Sequence, residues 1–354
     1  MNIQTSLQNP DTLSPGFDKK VGNTRISALD RKRILIFVTI ALGLYVAAYL
    51  VVFLGGERFS NFRNAASSQA NLLRSALMFT PLIAHIATRL ITREGWSNTF
   101  LGVNFRSGRW RYYLAAWFLP TVAVMVGGVI YYLLFPGKFD PSMTDARELG
   151  LVGSAVEPWK AFITRLGIAI LSPLPPMNIG LFLACFGEEF GWRAYLLPKL
   201  MPLGPRKAVL LVAAIWGVWH WPAILTGFNY GLDYWGAPLV GPLMFVLTLI
   251  FPSAFYAWVT LRSGSVWPAV LVHSADNASN SLMLFFLRGE ANLLIGPGVQ
   301  GIVGSLGYAL LALLIFSSPR ALAQPAPALA GAALSTSPAA VEKVADQAKL
   351  GINS

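Results

Sequence analysis

Apolar residues in this chain come in long unbroken runs, not in the stripes of a soluble amphipathic helix. Residues 34–53 carry no charge at all, and at 1.5 Å rise per residue they span about 30 Å, one hydrocarbon core. Further runs follow at residues 75–91, 112–135, 177–197, 208–225, 239–261, 266–286 and 299–316. This pattern predicts an all-α fold, a polytopic membrane helix bundle of about eight transmembrane helices. The apolar segment 161–174 is short and is cut off by Pro173, Pro175 and Pro176, so it reads as a re-entrant or interfacial piece. The chain then divides into a polar, mobile N-terminus (1–30), N-terminal membrane helices (31–160), a membrane core (161–316), and an Ala/Pro-rich tail expected to be disordered (317–354).

Charge placement orients the bundle. Arg31, Lys32 and Arg33 stand at the foot of the first run. With the N-terminus inside, the inner loops hold Arg93, Arg106, Arg109 and Arg111, then Lys199, Arg206 and Lys207, then Arg262. The outer loops hold Arg58, Arg63, Lys138, Arg147 and Arg288, several beside acids, and the loop around Asp233 has no base. This bias fits eight spans with both termini cytoplasmic, as in a bacterial inner membrane.

Composition agrees: 55% of residues are hydrophobic and 12% charged, about half the charged fraction of a soluble domain. The net charge of +11 invites a nucleic-acid reading. The bases sit between apolar runs, however, rather than in a stripe with aromatics, so the expected partner is membrane lipid and not nucleic acid. Cys185, the lone cysteine, excludes an internal disulfide. The first run is too long for a signal-peptide core and reads as a retained helix. No internal repeat points to an inverted-repeat transporter.

Against this background a few polar residues stand out. Of the acids between residues 161 and 316, Asp233 and Glu290 fall in predicted outer loops, whereas Glu188, Glu189 and Asp276 fall within spans. A carboxylate there costs about 2.5–3.5 kcal/mol on insertion scales and faces a cavity or a partner. Glu189 and Arg193 are i,i+4 with the acid first, the favourable order for a pair on one helix face. Two adjacent carboxylates cannot both ionise cheaply in low dielectric. Pairing of Glu189 with Arg193 would leave Glu188, about 100° round the helix, free to act as a base. Trp216 precedes His220 by one turn and gives it aromatic cover. His273 and Asn277 are i,i+4 and can point at one spot. Measured from the inner ends of their spans, Glu188, His220 and His273 lie roughly 18, 18 and 10 Å deep. Three helices of alternating direction thus bring their strong acid–base groups to similar depth.

Each group also has a structural reading. Glu188, Glu189 and Arg193 could lock two helices as an ion pair. His220, between Trp219 and Trp221, could be an interfacial anchor, and His273 with Asn277 could be interhelical hydrogen-bonding glue. It is the conjunction at matched depth that favours function. Asp276, one step off the His273 face, His85, near the inner end of its span, and Cys185 read as structural.

The patterns EExxxR, an aromatic followed by xxxH, and HxxxN, in that order on successive helices, resemble the CPBP family of intramembrane proteases, which includes the type II CAAX prenyl endopeptidases and bacterial abortive-infection and bacteriocin-immunity proteins. The resemblance covers about residues 177–287, with Trp216 where the family often has Phe. It implies an intramembrane endopeptidase. Glu188 would be the catalytic glutamate with Glu189 and Arg193 as companions, His220 would help activate water, and His273 with Asn277 would form an oxyanion site. Residues 161–316 would then be the catalytic core. The substrate would be a membrane-anchored peptide or protein, such as one with a lipidated C-terminus, reached from the inner surface.

No metal is required by this scheme. The rival is a zinc site of Glu188, His220 and His273; Glu189 would then have to serve as base, against its pairing with Arg193, and no HExxH run is present. Two other classes remain open: a non-catalytic membrane scaffold or immunity-type protein, and a proton-coupled transporter in which Glu188 and the histidines form a relay.

Overall fold

The computed structural model describes residues 25–54 and 75–323, with side chains from residues 25–51 and 75–323. The expected mobile segment up to residue 24, Arg58, Arg63 and the tail from Gln324 lie outside the described residues. Among the described residues the fold is all-helical, with one isolated antiparallel bridge between Phe139 and Leu287.

Helix α1, Ala28–Leu54, starts before the apolar run itself. Ser27 explains this: its Oγ accepts the Asp30 N–H at 3.0 Å and donates to the Asp30 carboxylate at 2.9 Å, capping the first turn. Proline opens several later helices, where its missing N–H costs nothing. These are α2 (Thr80–Ile91), α4 (Pro158–Leu171), α6 (Pro205–Trp219) and α8 (Trp267–Ser279). Helix α3, Trp110–Leu134, and helix α7, Val240–Ser263, each tolerate an internal proline, Pro120 and Pro252. Helix α5, Ile179–Gly191, continues through a π-helical turn, Trp192–Leu196, into a last α-turn, Leu197–Leu200. Helix α9, Leu306–Ser317, completes the set.

Three of these helices are long and apolar enough to cross a membrane: α1, α3 and α7. Three of the other predicted spans are more broken than the apolar pattern suggested. Helices α6, α8 and α9 have 15, 13 and 12 residues. At 1.5 Å per residue that is about 20 Å, short of a hydrocarbon core. The remainder of each of these three runs is irregular, whereas α5 continues unbroken through its π-helical turn to Leu200. Pro222 interrupts the run after Trp219, Asn280 and Ser281 end α8 ahead of a 3-10 turn at Leu282–Phe286, and a glycine-containing loop precedes α9. The segment expected to be re-entrant or interfacial is the 14-residue helix α4.

The bundle is inside-out relative to a soluble protein. Leu35, Leu133 and Leu314 are each about two-thirds exposed or more, while Glu188, Glu189, Arg193, His85 and Arg89 are buried. Helix α8 occupies the middle, packed against α3, α5, α7 and α4; α6 packs on α7, and α1 on α2. At the end where bases gather, Glu94 ties three elements together. It pairs with Lys199 and with Arg33 at 3.3 Å, and accepts the Tyr195 hydroxyl at 2.9 Å. Burial pushes the Glu94 carboxyl up, but these donors outweigh it and hold it below its ordinary value.

Close helix approach depends on bare backbone. A Cβ on Gly307 of α9 would overlap the Ala123 carbonyl of α3, and one on Gly127 of α3 would overlap the Gly304 carbonyl. A backbone oxygen in a helix cannot rotate away, so Gly307→Ala is expected to force α3 and α9 apart. The expected cost is about 1–3 kcal/mol, read as a lower melting temperature of the detergent-solubilised protein. An unchanged melting temperature would mean that α9 can shift freely.

Candidate active site

Glu188 and Glu189 lie in the last turns of α5, both buried. Being adjacent, they point about 100° apart and meet different partners. The Arg193 Nη1 lies 3.0 Å from each Glu189 oxygen, the i,i+4 pair expected from the spacing. The His273 Nδ1 lies 2.9 Å from the same carboxylate. Arg193 sits in the π-helical turn, with its guanidinium carbon 4.1 Å from the Trp216 ring centre and 4.4 Å from that of Tyr256. A cation out of water gains from two aromatic faces as well as from its carboxylate.

Glu188 faces elsewhere. Its Oε2 accepts the Trp216 indole N–H at 2.6 Å and, more weakly, that of Trp192 at 3.4 Å. Its other oxygen takes no hydrogen bond among the described residues. His220 follows the last residue of α6, and its Nδ1 lies 2.9 Å from the Trp216 carbonyl. A carbonyl only accepts, so the proton is on Nδ1 and Nε2 is the ring's acceptor. The ring is held between Trp219 and Phe245, at centroid distances of 4.7 and 4.8 Å.

His273, Asp276 and Asn277 on α8 and Asn280 at its C-cap stand at i, i+3, i+4 and i+7, a single helical stripe. All four border one cavity of about 230 Å³, together with Glu188 and His220. Glu189 and Arg193 do not line it; they stand behind His273. Asn277 is exposed, with Nδ2 at 3.6 Å from the Cys185 sulfur. The expected convergence of Glu188, His220, His273 and Asn277 from three helices on one cavity is therefore present in the geometry. Asp276, read from its position as structural, also reaches the wall, where its carboxylate accepts the hydroxyls of Tyr256, at 2.6 Å, and Tyr308. His85 stays apart, between the Phe190 carbonyl at 2.8 Å and the Arg89 Nε at 2.6 Å, a packing role.

Phe228, Asn229, Val299 and Gln300 also border the cavity. Phe228 and Asn229 belong to the connection around Asp233 that charge placement assigned to the outer side, whereas Val299 and Gln300 open the run 299–316 expected to span and lie instead in the loop before α9. The cavity lining thus runs from the polar centre to these two segments.

The zinc alternative was a set of Glu188, His220 and His273. Among the described residues no three His, Cys, Asp or Glu side chains are arranged to hold a metal ion. His220 and His273 each have Nδ1 engaged, and one Glu188 oxygen is held by indoles.

Several contributors had no signal in the motifs. Trp216 looked like aromatic cover, yet its N–H is a direct partner of Glu188. Tyr256 comes from α7, which carries no motif. Asn280 could have been found by extending the His273–Asn277 spacing one more turn. Gln300 falls in the run 299–316 that was expected to span, but lies in the loop before α9.

Residues 170–279 match the family model described as type II CAAX prenyl endopeptidase Rce1-like. Over this segment the chain is similar to that family. Glu188, Glu189, Arg193, His220, His273 and Asn277 all fall inside it, and Asn280 and Gln300 fall beyond it. A curated relative, CAAX prenyl protease 2 of Methanococcus maripaludis, is 26% identical over 119 residues, covering 33% of this chain and 44% of that protein. The chain thus matches less than half the length of that relative. The matched segment comprises α5, α6, α7 and α8 and carries Glu188, His220, His273 and Asn277. Helices α1, α3 and α9 pack around it.

Proposed function

We propose that this chain is an intramembrane endopeptidase that hydrolyses a peptide bond near a membrane anchor, by glutamate-activated water. The observation that carries the reading is the cavity: Glu188, His220, His273 and Asn277 border it, and each has a hydrogen-bonding partner that leaves part of the group for a ligand.

In this scheme water is held by Glu188 and the His220 Nε2. Glu188 takes its proton as the oxygen attacks the scissile carbonyl. The oxyanion is received by His273 and the Asn277 N–H. Because His273 already directs Nδ1 at Glu189, its Nε2 can donate only as the imidazolium, and the Glu189 carboxylate offsets that charge. The tetrahedral intermediate collapses with C–N cleavage, and Glu188 returns the proton to the leaving amine. The two indole N–H groups keep Glu188 from swinging toward Arg193. The relative's name, CAAX prenyl protease 2, and the domain match support a lipidated peptide or protein as substrate. We further propose that the shorter helices, with their irregular extensions, bring the spans to eight, with both termini cytoplasmic in a bacterial inner membrane.

The test is purified protein in liposomes with an internally quenched farnesylated peptide ending in Cys-Val-Ile-Met. Cleavage is expected in wild type, with loss in Glu188→Gln and His220→Ala, and cleavage is expected to persist after chelator treatment. Loss on chelation that zinc restores would overturn the metal-independent mechanism. Equal signals from wild type and both variants would remove the endopeptidase reading.

A further inference from the structure

The polar groups of the cavity do not end at Asn277. Asn280, one turn further along the α8 stripe, has a buried Oδ1 with no hydrogen-bond partner among the described residues. Gln300, on the loop before α9, is 8% exposed, borders the same cavity, and has a buried Oε1 equally without a partner. Two unpaired buried carbonyl oxygens in one cavity run against the general rule that buried acceptors are satisfied. Replacing them with aliphatic groups would remove that cost.

Gln300 is moreover held in place. Its backbone carbonyl accepts the Tyr230 hydroxyl at 2.8 Å. Its carboxamide lies over Gly298, where a Cβ would come within 2.6 Å of Oε1 and 2.9 Å of Nε2. Glycine at 298 leaves the room the carboxamide occupies.

From these observations we propose that Asn280 and Gln300 form a peptide-backbone subsite, accepting main-chain N–H groups of an extended substrate laid along α8. The proposal rests on the endopeptidase reading and adds a substrate-positioning site outside the Rce1-like match. Carboxamide oxygens are acceptors, so the ligand must present donors, and an extended peptide offers an N–H at regular intervals. Asn280 is seven residues beyond His273, about 10 Å along the helix axis. At about 3.3 Å per extended residue, it meets the peptide roughly three residues from the carbonyl that His273 would hold. Gln300 approaches from the neighbouring loop, so the two oxygens can take successive donors on one edge of the strand.

The experiment uses Asn280→Leu and Gln300→Met, which keep shape and remove the acceptors, with the same quenched farnesylated peptide and a series in which single amides are replaced by esters. Each variant is expected to lower kcat/KM about tenfold, mainly through KM, while the melting temperature holds or rises. In wild type two ester positions, one for each acceptor, lose about tenfold, and in the variant that matches a position its ester costs nothing further. Unchanged kcat/KM in both variants overturns the subsite. So does a lowered melting temperature with equal loss on every ester peptide, which is the mark of a structural role. In either case Glu188-dependent cleavage by wild type leaves the endopeptidase reading standing. Absence of Glu188-dependent cleavage overturns both.

Discussion

Glu188→Gln is expected to lower kcat by about 10²–10⁴-fold, the usual contribution of a positioned general base, with KM little changed. The substitution keeps the side chain's volume and a carbonyl oxygen for the Trp216 N–H at 2.6 Å, so the fold and the cavity are retained. What is lost is the ability to take a proton from water. The loss lies in the transition state and not in substrate binding, and so falls on kcat and kcat/KM alike. It cannot be recovered by raising the pH, since glutamine has no proton to lose. Initial rates in proteoliposomes, with the melting temperature as a folding control, give the answer. Wild-type kcat in this variant would assign the base elsewhere. Glu189 is poorly placed for that role, being held between Arg193 and His273 and absent from the cavity wall.

The second large effect is on stability. Glu189 and Arg193 are 0% and 1% exposed, and each compensates the other's charge. Removing one partner leaves an uncompensated charge in low dielectric, which costs about 3–5 kcal/mol. Arg193→Met and Glu189→Gln are each expected to lower the melting temperature sharply. The double variant should lose less than the sum of the two, because it leaves neither charge stranded. Arg193→Lys is not conservative here. An ammonium cannot fill the slot between the Trp216 and Tyr256 rings at 4.1 and 4.4 Å while also facing both Glu189 oxygens. An additive double variant would show that the two groups act independently. Activity separates the pair further: Glu189→Gln also removes the charge facing His273 Nδ1, so its kcat should fall even at temperatures where the protein stays folded.

The four cavity groups were legible because each sits where hydrocarbon penalises it. Glu188 in an apolar run, and His273 and Asn277 at i,i+4, are visible without coordinates, since a helix converts spacing into direction. The Glu189–Arg193 pair was legible for the same local reason. The number of spans was less so. Hydropathy runs on through residues 208–225 and 266–286, but Pro222 interrupts the first, and the second ends its α-helix at Ser279. Apolar side chains report the need for burial, not the hydrogen-bond pattern of the backbone that carries them.

The chain's own order of residues determined that it forms helices for a membrane and which polar side chains those helices must hide, because composition and periodicity act through local geometry and the cost of leaving water. Which groups those side chains meet was decided only by the packed bundle. Trp216 donating to Glu188, Tyr256 flanking Arg193 and taking up Asp276, and Gln300 arriving from a loop beside Asn280 are all contacts between segments far apart along the chain. No periodicity encodes such distances. They are set by how closely backbones can approach, as at Gly307 against Ala123, and by the rule that each buried polar atom must find a partner somewhere in three dimensions.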